Sequence, residues 1–335
     1  MKSVVFMQAS VKMNAVLNCY EAERAKGHEV TIVLPYVLRN TCKFICQLNL
    51  DVRLVTLDRM TGKAMILFPF IYKRIIKRNI KRIGVGDKTH FFFTDVNDLE
   101  IGLLLPHLKN CEPTQILTSI DINDGENYQI ERQSTNRIQI MKSRLLSFIY
   151  RTHFIAVLDS GIEFIYTDLK KCSIPRLDFS DKTIIERYMI KVTDASNCVL
   201  FYTSPYLEKL YDNDVYERLN KDIIDVLHRK GYRIFIKSHP RFGDPEVIKG
   251  LADVYLPTYI PGEYINLSTF NFAIGFSSTV LGTASEKIPT YSVLKAGKVK
   301  NESLRDSYIK YISDINSGVH FINSLEEIPV FKLEA

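Results

Sequence analysis

The sequence predicts an α/β chain of two Rossmann-like domains facing across a cleft, and three observations carry that expectation. Apolar runs of strand length alternate with amphipathic helical stretches, and the alternation starts afresh in the second half of the chain. A length of 335 residues gives about two domains, each large enough to bury its own core. Several predicted strands run directly into polar turns, which is where open parallel sheets bind ligands.

The first half opens with a strand over 3–7, a helix over about 12–26, a Gly27-His28 turn and a strand over 29–34, a βαβ unit. A helix around 38–48, a strand over 52–57, a basic helix, a strand over 90–93, a helix over 97–109 and a strand over 115–119 follow. The loop after that strand, Asp121-Ile122-Asn123-Asp124-Gly125-Glu126, is the densest acidic cluster in this half, and a helix around 137–151 comes next. From 152 to 185 the pattern weakens to two short strand candidates, 154–158 and 162–166, and the interdomain link is expected here. The second alternation begins with the strand-like 197–203, which runs into Thr203-Ser204-Pro205. A helix over about 215–230 leads to the run Tyr232-Arg233-Ile234-Phe235-Ile236, which ends in Lys237-Ser238-His239-Pro240. A strand over 270–275 opens onto Ser277-Ser278-Thr279 and a helix over 280–286; a strand at 289–293 and a helix over 302–315 close the series. The domains are thus expected at 1–185 and 186–335, with the last helix a candidate to pack back across the cleft.

Hydrophobic residues make up 46% of the chain and charged residues 24%, and no apolar stretch reaches the roughly 18 to 20 residues that span a bilayer. The start, Met1-Lys2-Ser3-Val4-Val5-Phe6, reads as a first strand rather than a signal sequence. A cytoplasmic location is expected. The six cysteines, at 19, 42, 46, 111, 172 and 198, contain no C-x-x-C pair, so they are expected as small buried hydrophobes, and no metal site is evident.

The net charge of +6 is concentrated in the segment from Pro69 to Ile83. There Lys73, Arg74, Lys77, Arg78, Lys81 and Arg82 fall on one side of a helix and Ile71, Tyr72, Ile75, Ile76, Ile80 and Ile83 on the other. Such a helix suits an anionic acceptor or the anionic surface of an inner membrane, or simply packs its isoleucines inward. Nucleic acid is not an expected partner, because the aromatics Phe68, Phe70 and Tyr72 precede the charges instead of interleaving with them.

The chemistry concentrates in the second half. Ser277, Ser278 and Thr279 at a helix start offer hydroxyls and unpaired N–H groups to a phosphate, or serve as an ordinary N-cap. Lys237, His239 and Arg241 add positive or protonatable groups beside them if the two strands are neighbours, and Thr203 and Ser204 end the strand before. His239 is either a structural histidine or a group that stabilises and protonates a leaving phosphate. Glu263, in Pro261-Gly262-Glu263, is either a solvated turn residue or an acceptor for ribose hydroxyls. In the first half Asp121, Asn123 and Asp124-Gly125 form either an Asx-type turn or a carboxylate base for an acceptor hydroxyl.

Taken in order, Asn123-Asp124-Gly125, His239-Pro240, Glu263 and Ser277-Ser278 resemble the motifs of bacterial sialyltransferases and polysialyltransferases: acidic-acidic-Gly, HP and Ser-Ser/Thr, with a ribose-binding acid between the last two. The resemblance implies a GT-B fold and CMP-sialic acid as donor. It also implies inversion at the anomeric carbon without a metal or other cofactor, and a cell-surface glycan (lipooligosaccharide, O-antigen or capsule) as acceptor. It casts the first domain as acceptor side and the second as nucleotide-sugar side, with Lys237, His239, Pro240, Glu263, Ser277, Ser278, Thr279, Thr203 and Ser204 at the donor. Asn123 stands where the family has its first acidic residue, so Asp124 is the expected base and Asp121 the alternative. Transfer from CMP-Kdo, another nonulosonic acid or CDP-glycerol fits the same second-half residues, and a non-catalytic glycan-binding or membrane-associated scaffold fits the basic helix.

Overall fold

The computed structural model describes residues 1–9, 12–60, 62–85, 88–94, 99–104, 111–117, 145, 148–150, 154–158, 162–166, 175–193, 196–239, 243–315 and 317–330. The chain divides into two compact units, Met1–Ile184 and Ile185–Ala335. Each is built on a parallel sheet with helices.

In the first unit the strands are β1 (Lys2–Phe6), β2 (Glu29–Leu34), β3 (Arg53–Thr56), β4 (Thr89–Phe93), β5 (Cys111–Leu117) and β8 (Arg176–Asp178), in the order β3-β2-β1-β4-β5-β8. All pairings are parallel. Short strands such as Glu29–Leu34 lie buried on both faces, so their Val-Thr-Ile-Val-Leu run is nearly continuous rather than alternating. The helices are α1 (Met13–Ala25), α2 (Thr41–Gln47), α3 (Gly62–Leu67), α4 (Pro69–Ile83) and α5 (Leu99–Leu104), and α6 (Thr183–Arg187) straddles the boundary between the units. Val4, Phe6, Val33, Val55, Phe91, Phe93 and Ile83 share one core. Helix α4 has its proline in the first turn and ends at Gly84, whose φ of 65° is the left-handed conformation that suits glycine.

The expected strand at 115–119 begins earlier, at Cys111, and ends at Leu117. The weak region contains the two strands read there, β6 (Phe154–Leu158) and β7 (Ile162–Tyr166), which pair with each other as an antiparallel hairpin. The three-residue strand β8, too short to show a period, then joins the edge of the first sheet beside β5. Of the cysteines, Cys19 and Cys198 are buried as expected, whereas Cys42 and Cys111 are half-buried and Cys46 is exposed; all five are free thiols, and Cys172 lies outside the described residues.

The second unit carries β9 (Cys198–Tyr202), β10 (Arg233–Lys237), β11 (Val254–Leu256), β12 (Phe270–Gly275), β13 (Thr290–Ser292) and β14 (Val319–Phe321), in the order β11-β10-β9-β12-β13-β14. Its helices are α7 (Asn213–Arg229), α8 (Thr279–Ser285) and α9 (Glu302–Ile315). Numbered from its own first strand, each sheet reads 3-2-1-4-5-6, the doubly wound order whose switch point falls between strands 1 and 4. Helix α9 packs on α8 and β14 within its own unit. Among the described residues no helix is long and apolar enough to cross a membrane.

Candidate active site

Across the second sheet Leu256, Lys237, Tyr202, Gly275, Ser292 and Phe321 stand in register as one row at the carboxyl edge. The next residue of each strand leaves the sheet at the same level, so the sheet itself delivers Ser238, Thr203 and Phe276-Ser277 to one place. The HP strand β10 and the serine strand β12 are not neighbours, as the sequence reading required; β9 runs between them. With adjacent strands about 4.8 Å apart, Lys237 and Gly275 are separated by about 10 Å across β9. The switch point of this doubly wound order lies between β9 and β12.

On the β12 side, Gly275 is dictated by close packing, since a Cβ there would stand 2.9 Å from the backbone oxygen of Tyr202. Buried Ser292 donates to the Phe276 carbonyl at 2.6 Å and holds the turn that presents the hydroxyl run. Ser278 has the extended backbone of an N-cap, φ −77° and ψ 136°, yet its side chain makes no capping bond. Ser277, Ser278 and Thr279 are all half-exposed, and none of their hydroxyls has a hydrogen-bond partner among the described residues. These hydroxyls are therefore not consumed in closing the helix.

On the β10 side the organising residue is one the sequence reading missed. The Asp244 carboxylate accepts from Ser238 Oγ at 2.6 Å and from Thr203 Oγ1 at 3.1 Å, and Thr203 Oγ1 accepts from the His239 N–H at 3.1 Å. Gly243 N–H bonds back to the His239 carbonyl at 2.9 Å, with Gly243 at a φ of 70°. The turn that carries His239 is thus stapled to β9, and His239 itself is half-exposed. The only hint in the sequence was Gly243-Asp244-Pro245, which reads as an ordinary turn. Thr203 and Ser204 serve the interior here: the Thr203 hydroxyl is engaged as described, and Ser204 is buried with its Oγ 3.5 Å from the Tyr216 hydroxyl.

Lys237 is buried, with Nζ donating to the Ser238 carbonyl at 2.8 Å. Burial lowers its pKa to about 8, against the opposing pull of Glu263 and Asp244. Glu263 sits in a single 3-10 turn, Gly262–Tyr264, and burial raises its carboxyl above the ordinary value, an effect that a backbone hydrogen bond and Lys237 partly offset. Gly262 lets this turn nest between Tyr202 and Val280, each about 3.0 Å from where a Cβ would stand. Lys237 and Glu263 are therefore electrostatic partners, and the Glu263 turn lies against the first turn of α8. A solvated turn glutamate does not describe Glu263.

The remaining expected residues divide in two groups. Asp121, Asn123, Asp124, Gly125, Pro240 and Arg241 lie outside the described residues. On α4, Lys73, Arg74, Lys77 and Lys81 are exposed without a partner among the described residues, but Arg78 and Arg82 both reach Asp58, at 2.9 and 3.3 Å. Ile76 and Ile83 are buried as read, whereas Ile71 is 56% exposed and joins Leu67 (70%), Phe68 (54%) and Phe70 (81%) in an apolar patch where α3 gives way to α4.

The row of residues just assembled, Lys237-Ser238-His239, Glu263 and Ser277-Ser278, falls inside the segment 136–293 that matches the family model for alpha-2,8-polysialyltransferase (POLYST). Over that segment the chain is similar to this family. The match spans a little under half of the chain and does not include Asn123-Asp124-Gly125. No curated protein sequence matches the chain. Among solved structures, the chain is similar to the GT-B domain of a sialyltransferase from Photobacterium damselae, at 13% identity over 96% of this chain and 100% of that one, with a TM-score of 0.44. It is also similar to E. coli heptosyltransferase WaaC with ADP-2-deoxy-2-fluoro heptose, at 12% identity, 98% and 96% coverage and a TM-score of 0.44. A third similar structure is the UDP-GlcNAc 2-epimerase of Neisseria meningitidis bound to UDP-GlcNAc, at 12% identity, 95% and 92% coverage and a TM-score of 0.40. The GT-B type of this chain rests on its two doubly wound parallel sheets.

Proposed function

We propose that the protein transfers sialic acid from CMP-sialic acid to a hydroxyl of a cell-surface glycan, with inversion and without a metal. The observation that carries this reading is the β9/β12 switch point. Three hydroxyls with no partner among the described residues stand on one side of it, and a stapled His239 turn with buried Lys237 stands on the other. In this reading Ser277, Ser278 and Thr279 bind the CMP phosphate and Glu263 accepts from the ribose hydroxyls.

As the bond from the anomeric carbon to the phosphate oxygen breaks, its electron pair moves onto the phosphate. Lys237 and His239 stabilise the charge that appears there, and His239 supplies a proton to the departing CMP. The acceptor oxygen forms the new bond from the opposite face, and its proton passes to a carboxylate, Asp124 first and Asp121 as the alternative. Replacing Asp124 by Asn is expected to remove turnover while leaving CMP binding nearly unchanged; full activity in that variant would refute the assignment.

The donor is tested before any acceptor is known, by thermal unfolding with CMP, CDP, UMP and ADP in parallel, each with and without magnesium. A selective rise with CMP that does not need magnesium is expected, since a ligand at one hundred times its dissociation constant adds about 2.7 kcal/mol. CMP-sialic acid and CMP-Kdo then separate the acidic sugars in an acceptor screen. A larger rise with CDP points to CDP-glycerol, and no response to any nucleotide points to a glycan-binding scaffold.

The same reading places the enzyme on the cytoplasmic face of the inner membrane, docked through α4. What favours this is the exposed patch Leu67, Phe68, Phe70 and Ile71 next to Lys73, Arg74, Lys77 and Lys81, which have no partner among the described residues, because apolar side chains that enter the interface and cations that meet anionic headgroups belong together. Sedimentation with vesicles rich in phosphatidylglycerol is expected to capture the protein and to lose it on Phe70→Ser with Lys77→Glu; equal capture by neutral vesicles would sink this part.

A further inference from the structure

At the opposite edge of the first sheet, the amino ends of β1, β2, β4 and β5, a polar cluster is buried that the transfer reaction does not use. Glu23, near the end of α1, is 1% exposed at its side chain and turns its carboxylate under the sheet. Its Oε2 lies 2.6 Å from Ser3 Oγ, 2.8 Å from His28 Nδ1 and 3.5 Å from His90 Nδ1. Ser3 Oγ is also 3.3 Å from His28 Nδ1. The second oxygen, Oε1, is bound separately by Lys26 Nζ at 2.6 Å. One carboxylate oxygen has two lone pairs, yet a hydroxyl and two imidazole nitrogens converge on it.

We propose that Glu23, His28 and His90 form a structural site for a zinc-class divalent cation. The three ligand atoms all lie within 4.8 Å of one another. Two ligands each about 2.0 to 2.1 Å from a tetrahedral ion are about 3.4 Å apart, so separations of this size need little movement to close on one. An ion takes a lone pair from every group that now crowds Oε2. The outer arrangement fits as well. His90 Nε2 is 3.2 Å from Glu112 Oε2, on the far side of the ring, so Glu112 holds the proton at Nε2 and leaves Nδ1 as the lone pair aimed at the site. The register places this partner without a loop, since His90 pairs with Ser3 on one side and with Glu112 on the other. Ser3 Oγ or a water supplies the fourth position.

The site is structural because it stands at the amino ends of the first sheet's strands, opposite the carboxyl ends where open parallel sheets bind ligands. It was not legible as a motif. Glu23 and His28 are five residues apart, but His90 joins them only through the pairing of β1 with β4.

The test uses the untagged full-length protein, first dialysed against a chelator and then titrated with zinc by calorimetry and with cobalt by visible absorption. One saturable zinc equivalent, a rise in melting temperature and the intense cobalt bands of a four-coordinate site are expected. His28→Ala and His90→Gln should each lose at least tenfold in zinc affinity. Glu112→Gln, an exposed residue whose change keeps the fold, should lose about tenfold through the ring it orients. His239→Ala should bind zinc as the parent does. Absence of a one-to-one event, or zinc binding unchanged in both the His28 and His90 variants, would overturn the proposal. If either histidine variant fails to fold, the Glu112→Gln affinity and the cobalt spectrum of the parent decide it.

Discussion

At the switch point of the first sheet, β1 ends beside Gln8 and β4 beside Thr94, and the two close on each other: Gln8 Oε1 accepts from the Thr94 N–H at 2.8 Å and from its hydroxyl at 3.1 Å, with both residues buried. At the same point of the second sheet, β9 ends in Thr203 and β12 in Phe276-Ser277, and the hydroxyls of Ser277, Ser278 and Thr279 meet no partner among the described residues. The strand order is shared, so topology cannot account for the contrast. A single glutamine bridges one switch point, whereas at the other Asp244 draws Thr203 and Ser238 together and the β12 hydroxyls stay without a partner among the described residues. A fold provides the place, and the side chains decide whether it is occupied from within.

The comparison can be broken most forcefully at His239. If the second switch point is the donor site, His239→Ala should lower turnover by about 10² to 10⁴-fold, the usual size of a general acid contribution, and weaken CMP binding as well. Steady-state kinetics with CMP-sialic acid checks this, and an unchanged rate would remove the histidine from the mechanism.

Lys237 comes next. Its folded pKa of about 8 lies below the ordinary lysine value of 10.5, so the protonated form is disfavoured by folding. Without ligand, stability is therefore lowest below pH 8 and rises as pH climbs from about 8 to 10.5, by roughly 3 kcal/mol in all. Lys237→Met should abolish that rise and stabilise the unliganded protein at pH 7, while weakening CMP binding, because the cost of the buried charge is repaid only by an anion. Denaturant unfolding at pH 7 and pH 10 reads the first effect and calorimetry the second. A variant less stable than the parent at pH 7 would show that Lys237 serves the fold.

The smallest effect separates the two switch points directly. Gln8→Ala leaves the buried Thr94 N–H without its acceptor and should cost about 1 to 3 kcal/mol. Ser278→Ala removes a hydroxyl that the fold does not use and should change stability by less than about 0.5 kcal/mol, while reducing the CMP-induced rise in melting temperature. Equal losses of stability in the two variants would erase the distinction.

Local sequence determined most of the elements. The runs at 29–34 and 197–203, the Gly27 turn and the proline-led basic helix were legible because burial on both faces, chain reversal and helix starts depend on neighbouring residues. So was the Lys237-Ser238-His239 turn, because a strand running into a polar turn announces its own carboxyl end. Three-residue strands such as β8 and β14 carry no period and emerged only from pairing.

Tertiary structure alone decided which of the chemical residues meet. It inserted β9 between the HP strand and the serine strand, recruited Asp244 as a staple, turned Ser204 into the core and seated Glu263 beside Lys237. It also brought His90 to Glu23 and His28. The physical reason is the same in every case: backbone propensity and hydrophobic period act over a few residues, whereas sheet order and register join residues scores of positions apart, and polar chemistry depends on those junctions.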